Sequence, residues 1–253
     1  MKILFSAIVI AAVSFSLSAQ IKKPEPPVVK TPFTESRQAL IVTTKDWNAT
    51  QGEARMYERS GPAGKWQSKG DAFPVVVGRS GLAWAKDSAP VKITQFKAEG
   101  DGRSPAGMFP LTFAFGSSMK PEQITFPYTR LAENTECVDD LNSRHYNKIV
   151  NRMQVGVFDW KSSEKMLEVG EQYALGVFVA YNSYPVVRGS GSCIFLHVWK
   201  NPASPTSGCT AMGRTDLERV VSWLEPDHIP YLVLLPEDEY KSLRKSWNLP
   251  KLK

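Results

Sequence analysis

The chain has 253 residues, with 31 Lys and Arg against 25 Asp and Glu, which gives a formal net charge of +6. Its 42% hydrophobic and 22% charged residues exclude a disordered or collagen-like protein, and its length suits one domain of about 200 residues or two small ones. The three cysteines are too few for a disulfide scaffold, and an odd number leaves at least one of them unpaired in the monomer.

Residues 1–19 have the pattern of a secretory signal peptide. Lys2 precedes a short apolar run, and small residues lead to Ala19, where we expect cleavage. A membrane anchor is the alternative, but serines interrupt the run and it is short for a membrane span. We therefore expect an exported protein, in a compartment that permits disulfides, with no membrane span after cleavage.

Alternating apolar residues and frequent turn residues predict a β-rich domain over residues 39–236, after a Pro-rich lead-in at 20–38. Segments 39–44 and 54–57 predict a β-hairpin. Further strands are predicted at 73–77, 91–96, 108–113, 176–180, 193–199 and 229–235. The short intervals between these strands favour a mainly antiparallel arrangement.

One amphipathic helix is predicted shortly after residue 212. Thr215 and Glu218 fit a capping box, the apolar positions from 217 to 224 lie on one face, and Pro226 ends the pattern. Shorter helices are predicted at 163–167 and 240–247. Residues 237–253 form a basic C-terminal tail, which we expect to be solvated, with weak attraction to an anionic polymer or membrane surface as the alternative. The chain has no nucleic-acid-binding motif, so no nucleic-acid partner is expected.

A histidine and a cysteine are spaced as a strand followed by a glycine-containing loop would present them. His197 lies in a predicted strand, and Cys209 follows twelve residues later. A nearby imidazole can take the proton of a thiol and create a nucleophilic thiolate. Gly208 allows a tight backbone turn, so that N–H groups around Gly208 and Cys209 could form an oxyanion hole. The alternative is a buried structural cysteine and a histidine of the core.

Three segments resemble the L,D-transpeptidase (YkuD-like) family in the order in which that family has them. They are PVVVGR (74–79), GDGRSPAGMF (100–109), and SCIFLH (192–197) followed by TSGCTAM (206–212). The resemblance covers about residues 75–212. It implies an α+β, mainly β fold, namely an antiparallel β-sandwich catalytic domain with a few helices.

The resemblance also implies an enzyme of the bacterial periplasm or cell envelope that acts on the stem peptides of peptidoglycan without a cofactor. Cys209 would attack the carbonyl of a meso-diaminopimelate-type residue, D-Ala would leave, and a thioester would form. His197 would act first as base and then as acid. An amine would complete a crosslink. The alternatives are hydrolysis by the same Cys–His site, as an L,D-carboxypeptidase or an amidase/endopeptidase, and a non-catalytic wall-binding module.

The chain departs from the family pattern near the nucleophile, which marks a divergent branch. Ala211 stands two residues after Cys209, where the family often has Arg or Asn. Val198 and Trp199 follow the histidine, where Gly is common, and the stretch between His197 and Cys209 is shorter than usual.

Several further residues are candidates to bind the substrate, each with a packing or surface role as the alternative. Guanidinium groups suit a substrate carboxylate, and Trp199 could form a wall of the cleft. The candidate set is Ser207, Thr210, Arg79, Arg103, Trp199 and Asn182, with Lys200 as a further cation and Gly208 beside the nucleophile.

A disulfide between Cys137 and Cys193 would leave Cys209 free, as the implied chemistry requires, and would brace the strand that carries His197. A zinc site from His145, His197 and a cysteine is the competing interpretation. The chain lacks the clustered ligand spacing that zinc sites show, so we expect no metal. His228 is expected to be structural.

Overall fold

A computed structural model describes residues 32–90, 93 and 96–252. The predicted signal peptide at 1–19 and residues 20–31 of the predicted lead-in lie outside the described residues. Of the strand predicted at 91–96, only Ile93 and Phe96 are described, and Phe96 forms an isolated bridge with Trp84.

Fourteen strands and two α-helices make up the described chain. The strands are β1 (Gln38–Thr44), β2 (Gln51–Glu58), β3 (Gln67–Ser68), β4 (Phe73–Val76), β5 (Leu82–Trp84), β6 (Ser104–Gly116), β7 (Tyr128–Arg130), β8 (Thr135–Val138), β9 (Ile149–Asn151), β10 (Ser163–Lys165), β11 (Leu175–Val179), β12 (Phe195–Val198), β13 (Thr210–Met212) and β14 (Tyr231–Pro236). The helices are α1 (Arg214–Trp223) and α2 (Glu237–Leu243), with 3-10 turns at Pro32–Thr34, Gly170–Tyr173 and Pro226–His228.

The main sheet closes into a β-barrel, so the mainly β prediction holds but the sandwich is not what the structure shows. The strand order is β1-β14-β6-β11-β12-β13-β4-β2, and the pairing of β1 with β2 closes the ring. Most pairings are antiparallel, whereas β1 with β14 and β12 with β13 are parallel. Closure is possible because β1 pairs with its hairpin partner on one side and with the last strand on the other.

Strand β6 connects the two halves of the barrel. Its residues 107–110 pair with β14, and its residues 111–116 pair with β11. Every residue of β1 and of β14 is buried, which places these two strands at the centre of the hydrophobic core.

Helix α1 packs its apolar face on the barrel, but the predicted capping box is wrong. Leu217, Val220 and Val221 are buried as the periodicity predicts. The helix begins one residue before Thr215, with Gly213 as its N-cap and no side-chain cap hydrogen bond. The Gly213 carbonyl accepts the N–H of Leu217, so the chain enters the helix directly after β13.

The helix predicted at 163–167 is also wrong, because residues 163–165 form strand β10. This strand pairs with β8, and β8 pairs with β9, giving a small three-stranded sheet that we call the side sheet. The buried carboxylate of Glu136 on β8 accepts hydrogen bonds from Lys165, Ser163 and Trp160. These long-range contacts outweigh a weak local helix preference.

The C-terminal segment packs against the barrel. Helix α2 begins three residues before the predicted position and ends at Leu243. Tyr240 and Leu249 are buried in the main core, and the Tyr240 hydroxyl donates to the carbonyl of Pro250 at 2.7 Å. Within the described residues, every helix is too short or too polar to cross a membrane.

Candidate active site

Two neighbouring parallel strands bring His197 and Cys209 to the same face of the barrel wall. Strand β12 carries His197, and Cys209 immediately precedes β13. The register pairs His197 with Ala211 and Leu196 with Thr210. Side chains alternate along a strand, so Cys209 lies on the same face as Ala211, one strand away from His197. Both side chains line one cleft.

A backbone carbonyl fixes the orientation of the His197 ring. Nδ1 lies 2.8 Å from the carbonyl oxygen of Val198. A carbonyl can only accept, so Nδ1 carries the proton and Nε2 keeps its lone pair. Burial lowers the pKa of His197 to about 4, against a smaller opposing effect of the Val198 carbonyl. The imidazole is therefore neutral near pH 7 and can accept a proton.

The thiol of Cys209 is buried and neutral at rest. Burial raises the pKa of Cys209 far above its ordinary value. The Sγ atom accepts the N–H of Phe195 at 3.3 Å and donates to the carbonyl of Cys193 at 3.4 Å. The Phe195 N–H favours the thiolate, so it would stabilise the anion once a base has removed the proton.

The loop that leads to Cys209 is held by hydroxyl groups. The Cys209 carbonyl accepts hydrogen bonds from Ser104 Oγ at 3.0 Å and from Thr206 Oγ1 at 2.6 Å. Ser104 is fully buried at the start of β6 and also accepts the N–H of Gly78 at 2.9 Å. The segments at 74–79 and 100–109 that carry the family resemblance therefore meet at the back of the nucleophile loop.

Gly208 adopts a backbone conformation that side chains disfavour. Its φ is +154°, and a Cβ there would lie 3.1 Å from the carbonyl oxygen of Arg103 and 3.3 Å from Ile194 Cδ1. The Gly208 N–H donates to Thr206 Oγ1 at 3.1 Å, so it is already engaged. Within the described part of the chain, the N–H of Cys209 has no acceptor, which makes it the free donor for an oxyanion.

The cleft in front of Cys209 has a volume of about 230 Å³. One wall comes from β10 and the turn Gly170–Tyr173, and the other comes from the end of β12 and the loop that leads to the nucleophile. The lining residues are Glu164, Val169, Gln172, Tyr173, His197, Trp199, Lys200, Ser204, Pro205, Thr206, Ser207, Cys209 and Ala211.

A glutamate and a tyrosine lie near Cys209 and are missing from the predicted site. The Tyr173 hydroxyl donates to Glu164 Oε2 at 2.6 Å and also interacts with the Cys209 thiol. The rings of Tyr173 and His197 meet edge to face, with centroids 5.3 Å apart. Burial raises the pKa of Glu164 to about 7, and the Tyr173 hydrogen bond opposes the rise.

Three of the predicted substrate-binding residues lie at the cleft. Trp199 and Ser207 line it directly, as does Lys200. Arg79 is exposed, and its guanidinium donates to Ser207 Oγ at 3.0 Å, which places a cation at the rim.

The other three predicted residues are not brought into the cleft. The Arg103 guanidinium donates to the carbonyl of Leu82 at 2.9 Å, and Thr210 is buried on the strand face opposite to Cys209. Asn182 bonds the carbonyls of Val187 and Gly191 and the N–H of Val187, which shapes the loop before β12. These positions follow from backbone register and loop closure, which local sequence does not reveal.

A disulfide joins the side sheet to the segment just before β12, the strand that carries His197. Cys137 on β8 and Cys193 just before β12 are bonded, and Cys209 is the free cysteine. Asn147 adds to this connection, since its Oδ1 accepts the N–H of Cys193 at 2.9 Å. His145 packs edge to face on Trp160 in the same insert. Among the described residues, no three His, Cys, Asp or Glu side chains are grouped as metal ligands.

Four residues near Cys209 are absent from the predicted site, and only two of them lie in a recognisable sequence motif. Ser104 and Thr206 stand inside the quoted motifs, so their position was known but their role in holding the nucleophile loop was not. Glu164 was assigned to a helix that does not form, and Tyr173 lies in a stretch with no distinctive pattern. Their place beside Cys209 depends on the tertiary fold.

Comparison with known proteins identifies the family of the chain. The YkuD family model, the L,D-transpeptidase catalytic domain, matches residues 47–232, which is most of the chain. Comparisons with curated proteins and with solved structures give no match. The chain belongs to the L,D-transpeptidase catalytic domain family.

Proposed function

We propose that this member of the L,D-transpeptidase family is an exported cysteine peptidyltransferase that acts on peptidoglycan stem peptides. The observation that supports this most directly is the pairing of a free thiol and a neutral, oriented imidazole on adjacent strands of one cleft. The wall that would surround such a protein consists of glycan strands with short peptide stems, so a cleft of about 230 Å³ suits a few residues of one stem.

In the first half of the reaction, His197 Nε2 takes the proton of the Cys209 thiol as Sγ attacks the carbonyl carbon of the donor peptide. The carbonyl oxygen gains the negative charge and accepts a hydrogen bond from the Cys209 N–H. The tetrahedral intermediate collapses, and the C–N bond to the terminal D-amino acid breaks. The leaving amine takes the proton from His197, and a thioester to Cys209 remains.

In the second half, an amine of a neighbouring stem attacks the thioester carbon and gives its proton to His197. The C–S bond breaks, and the sulfur recovers a proton from the imidazolium. The neutral Cys209 thiol and the neutral His197 imidazole suit this cycle, because the imidazole can accept the proton that the thiol loses and return it later. Water in place of the amine would give hydrolysis.

Cations at the rim support recognition of a substrate carboxylate. Lys200 lines the cleft, and Arg79 lies beside Ser207. They would replace the Arg or Asn that the family often carries at the position of Ala211. Trp199 gives the same side of the cleft a flat apolar surface.

The experiment is a product analysis with purified mature protein and muropeptides that carry tetrapeptide stems, read by mass spectrometry. Crosslinked dimers together with released D-Ala support transpeptidation. Tripeptides alone would indicate an L,D-carboxypeptidase and not a transpeptidase. Unchanged muropeptides would favour a wall-binding module. Cys209→Ala should remove all turnover, whereas the exposed Glu168→Gln should retain it. Retained turnover in Cys209→Ala would contradict the role of the nucleophile.

A further inference from the structure

Glu164 is an acidic residue in the cleft that the proposed mechanism does not use. It lies on β10 of the side sheet, directly opposite Cys137 in the pairing with β8. The disulfide from Cys137 to Cys193 ties this part of the side sheet to the strand of His197. Glu164 is thus connected to the strand of His197 through the pairing of β10 with β8 and the disulfide.

The carboxyl group of Glu164 is half-buried and, within the described chain, has no cationic partner, in contrast to Glu136 and Asp101. Glu136 is paired with Lys165 and Arg152, and Asp101 is paired with Lys97. Among the described residues, no Lys, Arg or His nitrogen forms an ion pair with Glu164, and its hydrogen-bond partner is the neutral Tyr173 hydroxyl.

The nearby charges add to this imbalance. Asp139 and Glu99 both disfavour the ionised form of Glu164. A buried carboxyl group without a cation is costly to ionise, and a ligand cation would offset that cost. The cleft therefore contains an acidic side chain without a counterion from the described chain, and Lys200 lines the same cleft.

Tyr173 links Glu164 to the reacting sulfur. Tyr173 contacts Glu164 through its hydroxyl, interacts with the Cys209 thiol, and packs its ring on His197. A group bound at Glu164 would lie close to the carbonyl that Cys209 attacks.

We propose that Glu164 is a specificity-determining residue that binds a primary ammonium group of the stem peptide at the nucleophile. This assignment rests on the proposed function. A carboxylate accepts strong charge-assisted hydrogen bonds from an alkylammonium group, and Tyr173 orients the carboxylate for it. Lys200, which lines the same cleft, complements it by attracting a carboxylate, so the cleft selects a peptide residue that carries both groups.

The ammonium group has two sources in a transpeptidation. It belongs either to the side chain of the donor residue or to the acceptor stem, whose ammonium group would pass one proton to the Glu164 carboxylate before the neutral amine attacks the thioester. The chemistry at Glu164 is the same in both cases, and the two sources act at different steps of the reaction.

The test measures binding to the Cys209→Ala variant by titration calorimetry, so that no turnover is needed. The probes are a tetrapeptide stem with a free side-chain amine and the same peptide with that amine acetylated. If the donor residue supplies the ammonium group, acetylation should weaken binding about tenfold or more, and Glu164→Gln in the same background should weaken binding of the free-amine peptide equally. The double variant should not distinguish the two peptides. Glu168→Gln, an exposed glutamate in the same segment, is the matched control and should bind like the parent.

Kinetics of the enzyme with an intact Cys209 separate the two sources. If the donor ammonium binds, Glu164→Gln slows thioester formation, measured by quenching and intact-protein mass. If the acceptor ammonium binds, thioester formation is unchanged, acetylated donors bind normally, and products shift from crosslinks toward hydrolysis. The assignment would be overturned if Glu164→Gln left the preference for free over acetylated peptides unchanged, both in thioester formation and in transfer to the acceptor. Failure of every stem peptide to bind Cys209→Ala would overturn the proposed function itself.

Discussion

Replacing Glu164 by Gln should stabilise the folded protein, and the gain should depend on pH. The pKa of Glu164 is raised from 4.5 to about 7, chiefly by burial, so the folded state disfavours the carboxylate. The penalty is absent below pH 4.5, grows as the pH rises, and is complete above pH 7. From these two pKa values it reaches about 3 kcal/mol at pH 8, about 2 kcal/mol at pH 6 and nearly zero at pH 4. Gln removes the charge and can still accept the Tyr173 hydrogen bond.

The assay is equilibrium urea unfolding at pH 4, 6 and 8 with the disulfide intact, followed by tryptophan fluorescence. Glu168→Gln is the control and should change the free energy of unfolding little at any pH. A gain for Glu164→Gln that is equal at pH 4 and pH 8 would refute the reasoning, since it would not come from ionisation. A loss of stability at pH 8 would show that Glu164 has a cationic partner in the folded protein.

Three further predictions concern the support of the nucleophile. Gly208→Ala should cost about 1–3 kcal/mol of stability and lower kcat, because φ is +154° and the new Cβ meets a carbonyl at 3.1 Å; unfolding and turnover that match the parent would contradict this. Ser104→Ala should cost about 1–3 kcal/mol, because the buried Gly78 N–H loses its acceptor, and it should lower kcat more than it raises KM; an equal effect on both would mean that Ser104 does not position Cys209. Replacing Cys137 and Cys193 together by serine should lower the free energy of unfolding by about 4 kcal/mol, from the loop of 56 residues that the bond closes, and urea unfolding with the parent's midpoint would contradict it.

The candidate nucleophile and base could be read from the sequence because the information is local. His197 stands in an apolar strand pattern, and Cys209 follows a glycine in a short loop. The parallel pairing of β12 with β13, which brings the two side chains to one face, could not be read in the same way. It depends on a crossover connection between strands, and strand register is set by the whole sheet.

The barrel was not predicted because closure is a property of distant pairings. Strand β1 joins both β2 and β14, and the second of these lies about 190 residues away in sequence. The side sheet was missed for a similar reason. Lys165 and Ser163 of strand β10 donate hydrogen bonds to Glu136. The sequence around residue 164 does not indicate that Glu136 is the partner.

Whether a residue predicted to bind the substrate lies at the cleft depends on where its backbone segment ends. Arg79 and Trp199 follow strands that end at the cleft, so their adjacency to the site follows from the order of elements. Arg103 lies inside a motif segment and Asn182 lies shortly after β11, but their side chains donate to backbone carbonyls and hold loops together. A polar side chain near a candidate site in sequence can thus stabilise a loop instead of contacting the substrate.

The central claim is that Cys209, activated by His197, forms a covalent acyl-enzyme. The most direct measurement is intact-protein mass spectrometry, after rapid quenching, of protein mixed with a tetrapeptide stem and, separately, with a carbapenem. We predict a mass increase equal to the acyl group in each case, located on the peptide that contains Cys209, absent in Cys209→Ala and slowed by about 100-fold or more in His197→Ala. An adduct on another residue, or an unmodified mass while stem peptides are being converted, would contradict the claim.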